Sequence, residues 1–358
     1  MAIEKTTIEQ FLLLAKQYPV LDVRSPGEYL QAHIPGACSF PLFTDEERKV
    51  VGTAYKQQSR ETAIKIGLDF FGPSMRRMVE EAELLTKHQA STTGSGKKTV
   101  LLHCWRGGMR SAAVAWLLDM YGFKVYTLSG GYKQFRQYVL QTFCRTWQFA
   151  ILGGYTGSGK TELLHALEKQ QQPVIDLEKI ASHKGSAFGN LGMPPQPSQE
   201  MFENQLALEL LAKTTEDQPI WLEDESQRIG NINIPPALWQ AMRQSTVYYI
   251  SIPFRERLQH IVDWYGKQDK EKMVSAITRI KKRLGPLETK TAINFLMEEN
   301  ITESLRVLLS YYDKGYSKNK QLRDLHPSKL HTIDCSSVDA SVNAAQLLQY
   351  FNQPVANS

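Results

Sequence analysis

Short, fully apolar runs recur along this chain, and most are followed by longer stretches whose apolar positions repeat every three or four residues. The runs are Val20–Val23, "TVLLHC" from Thr99, "KVYTL" from Lys124, Phe149–Leu152, "PVID" ending at Asp176, "PIWLE" from Pro219 and "TVYYISI" from Thr246. Runs of that length bounded by turn residues read as buried strands, and the intervening periodic stretches as helices. The alternation predicts α/β architecture with parallel sheets and right-handed crossovers. "FLLLAKQ" reads as a helix, "SPGEY" as a turn into one, and "HIPGACSFPL" as a strand interrupted by Pro–Gly turn chemistry. Residues 44–87 read as a charge-rich helical insertion, Ser91–Lys98 as a flexible loop, Ser111–Tyr121 as a helix and 134–146 as a helical connector. The pattern restarts at about Thr146 and turns helical and basic after Pro253. The expected division is 1–140, 146–253 and a mainly helical 254–358 packed on the middle part.

Composition adds little to this. In 358 residues the net charge is +5, too mild by itself to announce a nucleic acid. Its distribution is more telling. Lys and Arg against Asp and Glu number 19 and 13 in residues 1–145, 7 and 12 in 146–250, and 16 and 12 in 251–358. A polyanion is drawn to the ends of the chain, although a solvated, uneven surface gives the same counts. The four cysteines, Cys38, Cys104, Cys144 and Cys335, have neither disulfide-framework nor zinc spacing, so no dedicated metal site is expected. They fit a reducing compartment. The N-terminus does not read as a signal peptide and no stretch reaches membrane-spanning length, so a cytoplasmic location without membrane partners is expected.

Two loops carry candidate chemistry. In "HCWRGGMRS", Cys104 ends a strand and the next helix begins a few residues later. Ligands of open α/β sheets bind at such strand ends, where backbone amides and the helix dipole favour anions. Gly107 and Gly108 permit a tight curl, and Arg106 and Arg110 supply permanent charge able to grip an oxyanion. The same field is expected to favour thiolate at Cys104 and make it a nucleophile. In the second loop, Gly154-x4-Gly159-Lys160-Thr161 is a Walker A pattern between a strand and a helix. Amides near Gly154, Gly157 and Gly159 wrap a diphosphate, Lys160 neutralises it, and Thr161 can ligate Mg²⁺. Glu223 and Asp224, ending "PIWLED", are the candidate Mg²⁺-associated acids, with Asp176 as a third. The pattern does not fix whether a nucleoside triphosphate or another diphosphate ester binds.

With "LDVRSPGEYLQAHIPGA" and "YTLSGGY", the Cys104 loop resembles the rhodanese family across nearly all of residues 1–140. The resemblance implies a cysteine that carries a transferable sulfur or selenium atom, with Asp22 and Arg24 buttressing the loop. Five residues separate Cys104 from Arg110, one more than in the ordinary single-domain rhodanese loop. That spacing is also the pattern of cysteine-dependent phosphatases. A longer loop admits a tetrahedral anion, selenophosphate among them.

A rhodanese-like part joined to a P-loop part, together with "GTAYKQQSRETA", "GGYTGSGKTELL", "ASHKGSAFG" and "WLEDESQRIGN", resembles the tRNA 2-selenouridine synthase family. The resemblance implies conversion of 2-thiouridine to 2-selenouridine at the tRNA wobble position. Two steps are implied: S-geranylation from geranyl diphosphate, then displacement of the geranylthio group by selenium from selenophosphate. The implied partners are thiolated tRNA and the selenophosphate-supplying enzyme. Lys281, Lys282 and Arg283 in the basic helix "RIKKRLG" are candidate tRNA phosphate contacts, Trp221, Tyr265 and Tyr311 candidate base-stacking residues, and His103 and His183 candidate proton carriers. Two other readings stay open from the residues themselves: a cysteine phosphatase or sulfurtransferase fused to an NTPase, and a P-loop switch gating an idle rhodanese-like module.

Overall fold

The computed structural model describes residues 3–87, 98–186, 188–190, 192–215, 217–266, 269–321 and 329–353. The loop expected at Ser91–Lys98 lies outside them, apart from Lys98. The chain divides into two compact units, Met1–Thr142 with Glu203–Gln205, and Phe143–Phe202 with Leu206 onward.

The first unit begins with β1 (Ile3–Thr6), α1 (Ile8–Leu14), β2 (Val20–Asp22), α2 (Pro26–Gln31) and β3 (Cys38–Ser39). Two long helices follow, α3 (Asp45–Gln57) and α4 (Arg60–Thr86). The unit closes with β4 (Thr99–His103), α5 (Met109–Tyr121), β5 (Lys124–Leu128) and α6 (Gly131–Thr142). Its strands form one parallel sheet in the order β1-β5-β4-β2-β3. β4 is buried along its whole length, and α5 lays Ser111, Val114, Ala115, Leu117 and Leu118 inward. Gly122, at a φ of 111°, lets the chain turn from α5 into β5. The expected strand in "HIPGACSFPL" shrinks to Cys38–Ser39, because Pro and Gly consume its neighbours in turns. The expected insertion is two helices, since the Ser59 hydroxyl caps a new N-terminus by accepting from Thr62 N–H.

In the second unit, β6 (Phe149–Gly154), α7 (Lys160–Lys169), α8 (Leu177–Ala181), α9 (Gln199–Lys213) and β7 (Ile220–Glu223) come first. The hairpin β8 (Arg228–Ile229) and β9 (Ile232–Asn233), α10 (Pro236–Gln244), β10 (Thr246–Ser251) and α11 (Phe254–Tyr265) follow. Then come α12 (Lys270–Arg279), α13 (Lys281–Leu284), α14 (Pro286–Met297), α15 (Ile301–Gln321), β11 (Leu330–Asp334) and α16 (Ala340–Phe351). The parallel sheet runs β11-β10-β6-β7.

Three expectations change here. "PVID" makes only a bridge between Val174 and Trp221 before Asp176 caps α8. The mainly helical C-terminal third also contributes a strand: β11 pairs in parallel with β10, and α16 helps bury Leu163, Leu164 and Leu167 of α7 beside the sheet. "RIKKRLG" is not one helix, because the chain turns at Ile280 between α12 and α13. A separate apolar cluster, including Leu258, Ile277, Leu296 and Leu308, holds α11, α12, α14 and α15 together. Among the described residues no helix is long and apolar enough to cross a membrane.

Candidate active sites in the two units

The first site is a sulfur held in a cup of hydrogen-bond donors. β4 delivers Cys104 to the C-terminal edge of the sheet, and the loop curls back over it before α5 begins. Gly108 N–H donates to Cys104 Sγ at 3.3 Å, and the Ser111 hydroxyl lies 3.3 Å from it. Burial pushes the thiol pKa up. The Ser111 hydroxyl and the N–H groups of Ser111, Arg106 and Gly108 overcome this and hold it below the ordinary thiol value. These donors are amides and a hydroxyl rather than the expected guanidinium groups. Arg106 is exposed, and Arg110 Nη1 lies 2.7 Å from Glu28 Oε2. The side chain at 104 is recessed, 3% exposed, on the edge of the first unit's core.

Glycines make the curl possible. Gly107 and Gly131 have φ of 65° and 58° and pack backbone to backbone. A Cβ on Gly131 would come within 2.5 Å of the Gly107 nitrogen. Tyr132 N–H donates to Cys104 C=O at 2.8 Å, and Lys133 N–H to Trp105 C=O at 2.9 Å, so the start of α6 clamps the loop. Beneath it lies the buried Asp22–Arg24 pair. Arg24 Nη2 donates to Asp22 Oδ2 at 2.6 Å and to Ala32 C=O at 2.7 Å, and its guanidinium stacks 3.8 Å from the Tyr132 ring centre. Asp22 and Arg24 therefore act on Cys104 through Tyr132. His103 is wholly buried, and desolvation lowers its pKa to about 4, which favours the neutral imidazole at neutral pH. Glu28 is a further member: the Arg110 and Arg48 charges and the Ser25 N–H outweigh burial and hold its pKa at about 2.

The second site is a cavity of about 940 Å³ in the second unit. Its floor is the loop between β6 and α7, where Gly157 and Gly159 take φ of 79° and 67°. A Cβ on Gly157 would strike Ile261, and one on Gly159 would strike Val338. Lys160 Nζ donates to Gly154 C=O at 3.3 Å, folded back over the loop. Thr161 Oγ1 donates to Glu178 Oε2 at 3.3 Å.

Three carboxylates meet beside Thr161. Oxygens of Glu178, Glu223 and Glu225 lie within 4.8 Å of one another, and Glu223 Oε1 is buried without a hydrogen-bond partner. Burial first, and then the neighbouring carboxylates, hold Glu178 and Glu225 well above the ordinary carboxylate range; burial does the same to Glu223. An orphaned buried carboxylate oxygen facing two further carboxylates fits a divalent cation. Glu223 belongs to the trio, and Asp224 lines the cavity with its N–H donating to Leu152 C=O. Asp176 is spent on capping α8 and on His165, 3.0 Å away. Glu178, two residues after Asp176, and Glu225, two after Glu223, were the residues to notice.

Above this polar floor the walls are apolar and aromatic: Trp239, Val247, Tyr249, Ile261, Trp264, Tyr265, Tyr312 and Leu330. Lys184 and Arg243 add charge, with Lys184 Nζ 3.2 Å from the Trp264 ring centre. No sequence motif marks this wall, since its members come from α10, β10, α11, α15 and β11. Of the candidate stacking residues, Tyr265 lines the cavity, and Tyr311 lines a second groove of about 550 Å³ with Arg283, Arg306 and Lys314. Trp221 is 0% exposed and packs against Tyr248 and Phe351, so it cannot receive a base. His183 lies against Gly189 and Gly230, with burial lowering its pKa. Lys281, Lys282 and Arg283 are all exposed.

Residues 147–328 match the tRNA 2-selenouridine synthase AAA domain, and residues 7–138 match the rhodanese-like domain. A tRNA 2-selenouridine synthase of Nitrosomonas europaea is 37% identical over 255 residues, which are 69% of this chain and 63% of that one. One of Pseudomonas putida is 35% identical over 295 residues, 76% of each chain. One of Hydrogenovibrio crunogenus is 36% identical over 297 residues, 76% of this chain and 78% of that one. With an amide-cupped cysteine in one unit, a phosphate loop in the other, and relatives this similar across both, the chain belongs to the tRNA 2-selenouridine synthase family.

Proposed function

We propose that this protein converts 2-thiouridine at the tRNA wobble position to 2-selenouridine in two steps, one in each unit. The observation that carries the reading is the cavity of the second unit, where a diphosphate cradle opens directly onto an aromatic wall. A nucleotide offers an aromatic base and a hydrated ribose beyond its phosphates. Geranyl diphosphate offers a wholly apolar ten-carbon chain, which matches walls built from Trp239, Tyr249, Ile261 and Trp264.

In the first step the thiocarbonyl sulfur attacks C1 of the geranyl group, the C–O bond breaks, and diphosphate leaves with the electron pair. The base loses its N3 proton. Amides of Gly157 and Gly159 and the Lys160 ammonium stabilise charge as it grows on the leaving oxygens. Glu178, Glu223 and Glu225, with Thr161, are the residues that would hold Mg²⁺, which when bound would neutralise the diphosphate. Alkylation turns a poor leaving group into a good one. In the second step selenium enters at C2 and geranylthiol departs. The Cys104 thiolate attacks the phosphorus of selenophosphate and the P–Se bond breaks. The released selenide is the group that adds at C2 as geranylthiol leaves, and water then cleaves the S-phosphocysteine to phosphate. The amide cup suits both the thiolate and the tetrahedral anion.

The tRNA is a polyanion, and the exposed Lys281, Lys282 and Arg283 are proposed phosphate contacts. The selenophosphate-supplying enzyme is a proposed partner. Lys160→Ala tests the first assignment: geranyl transfer from geranyl diphosphate to thiolated tRNA is expected to fall at least a hundredfold. Undiminished transfer would overturn it.

A further inference from the structure

We infer that Trp105 is the platform on which the substrate base stacks as it meets Cys104, an inference that rests on the functional reading above. The residue directly after a buried nucleophile in an anion-binding loop is an indole, 38% exposed. Its backbone is held and its ring is supported on one side. Trp105 C=O accepts from Lys133 N–H at 2.9 Å, and the indole leans on the Tyr132 ring, centroids 5.7 Å apart. Tyr132 in turn rests on the buried Arg24 guanidinium. A chain of side-chain contacts thus runs from the core to the loop's exposed tip and ends in an indole one residue from the sulfur.

The surroundings favour RNA over a protein partner. Arg106 is exposed, and Arg60 approaches the exposed Met109, with Nη2 4.0 Å from its sulfur. Arg48 and Arg110 both lie against Glu28, so two cations share one carboxylate. An exposed indole within such a set matches single-stranded nucleic acid, where the base stacks and the flanking phosphates find cations. Trp116 and Met120 are also exposed, but they lie two turns or more along α5 from the loop.

The test uses the full chain and a fluorescently labelled anticodon stem-loop carrying 2-thiouridine, with binding read by anisotropy. Trp105→Ala is expected to weaken binding at least about tenfold, within the range for one base–aromatic stack. Trp105→Phe recovers most of the affinity, and alkylation of Cys104 by iodoacetamide stays within about twofold of the parent rate, showing the loop intact. Unchanged affinity in Trp105→Ala, or equal loss in both variants, would overturn the inference. So would faster alkylation with unchanged affinity, which would make the indole a cover for the thiol or a protein contact. If the parent chain binds RNA through Trp105 yet transfers neither geranyl nor selenium, the functional reading falls and the platform stands.

Discussion

At the scale of single residues, the chemistry rests on how neutral donors treat buried charge. Cys104 is held below the ordinary thiol value because an amide cup and the Ser111 hydroxyl outweigh its burial. Its alkylation rate is expected to rise with pH along a curve whose midpoint lies below the ordinary thiol value. Ser111→Ala removes a donor and moves that midpoint up, as a pH series with iodoacetamide would show. Glu28 gives a prediction of stability. Its pKa is about 2 when folded, against 4.5 when free, so its ion pairs stabilise the fold fully above pH 4.5. That contribution, on the order of 2 kcal/mol after discounting for partial exposure, is lost as pH falls from 4.5 towards 2. Glu28→Gln is expected to lower stability at neutral pH and flatten that acid limb in denaturant titrations. Cys104, Lys160 and Thr161 were legible in the sequence because spacing alone marks them. Ser111, Glu28, Glu178 and Glu225 were not, because their roles depend on which side chains the fold brings within hydrogen-bond reach.

Elements explain why the two loops hold their shape. The first is clamped by the start of α6, through Gly131 against Gly107 and two amides on the carbonyls of Cys104 and Trp105. Gly131→Ala puts a methyl into that backbone contact at a φ of 58°, and we expect a loss of about 2–4 kcal/mol together with slower Cys104 alkylation. Gly36→Ala is the control. Its φ is 84° but nothing lies within 4 Å of the added methyl, so about 1 kcal/mol and an unaltered thiol are expected. Strands with continuous apolar runs, such as β4 and β6, could be read directly. β11 could not, since only Ile333 of its five residues is buried, and it earns strand geometry by pairing with β10. The break at Ile280 was likewise invisible, because the basic residues around it favour helix on both sides.

For the whole molecule, the proposed function gives one chain two sites with different leaving groups: a diphosphate in one unit and a thiol in the other. Removing either nucleophile or cradle should therefore stop the sequence at a different chemical stage, which a single active site would not do. The most direct measurement is mass spectrometry of the wobble nucleoside from tRNA incubated with geranyl diphosphate and selenophosphate. With Cys104→Ser, S-geranyl-2-thiouridine is expected to accumulate without selenouridine; with Lys160→Ala, 2-thiouridine is expected to remain unchanged. Selenouridine formed by Cys104→Ser, or by Lys160→Ala from 2-thiouridine, would contradict the proposed function.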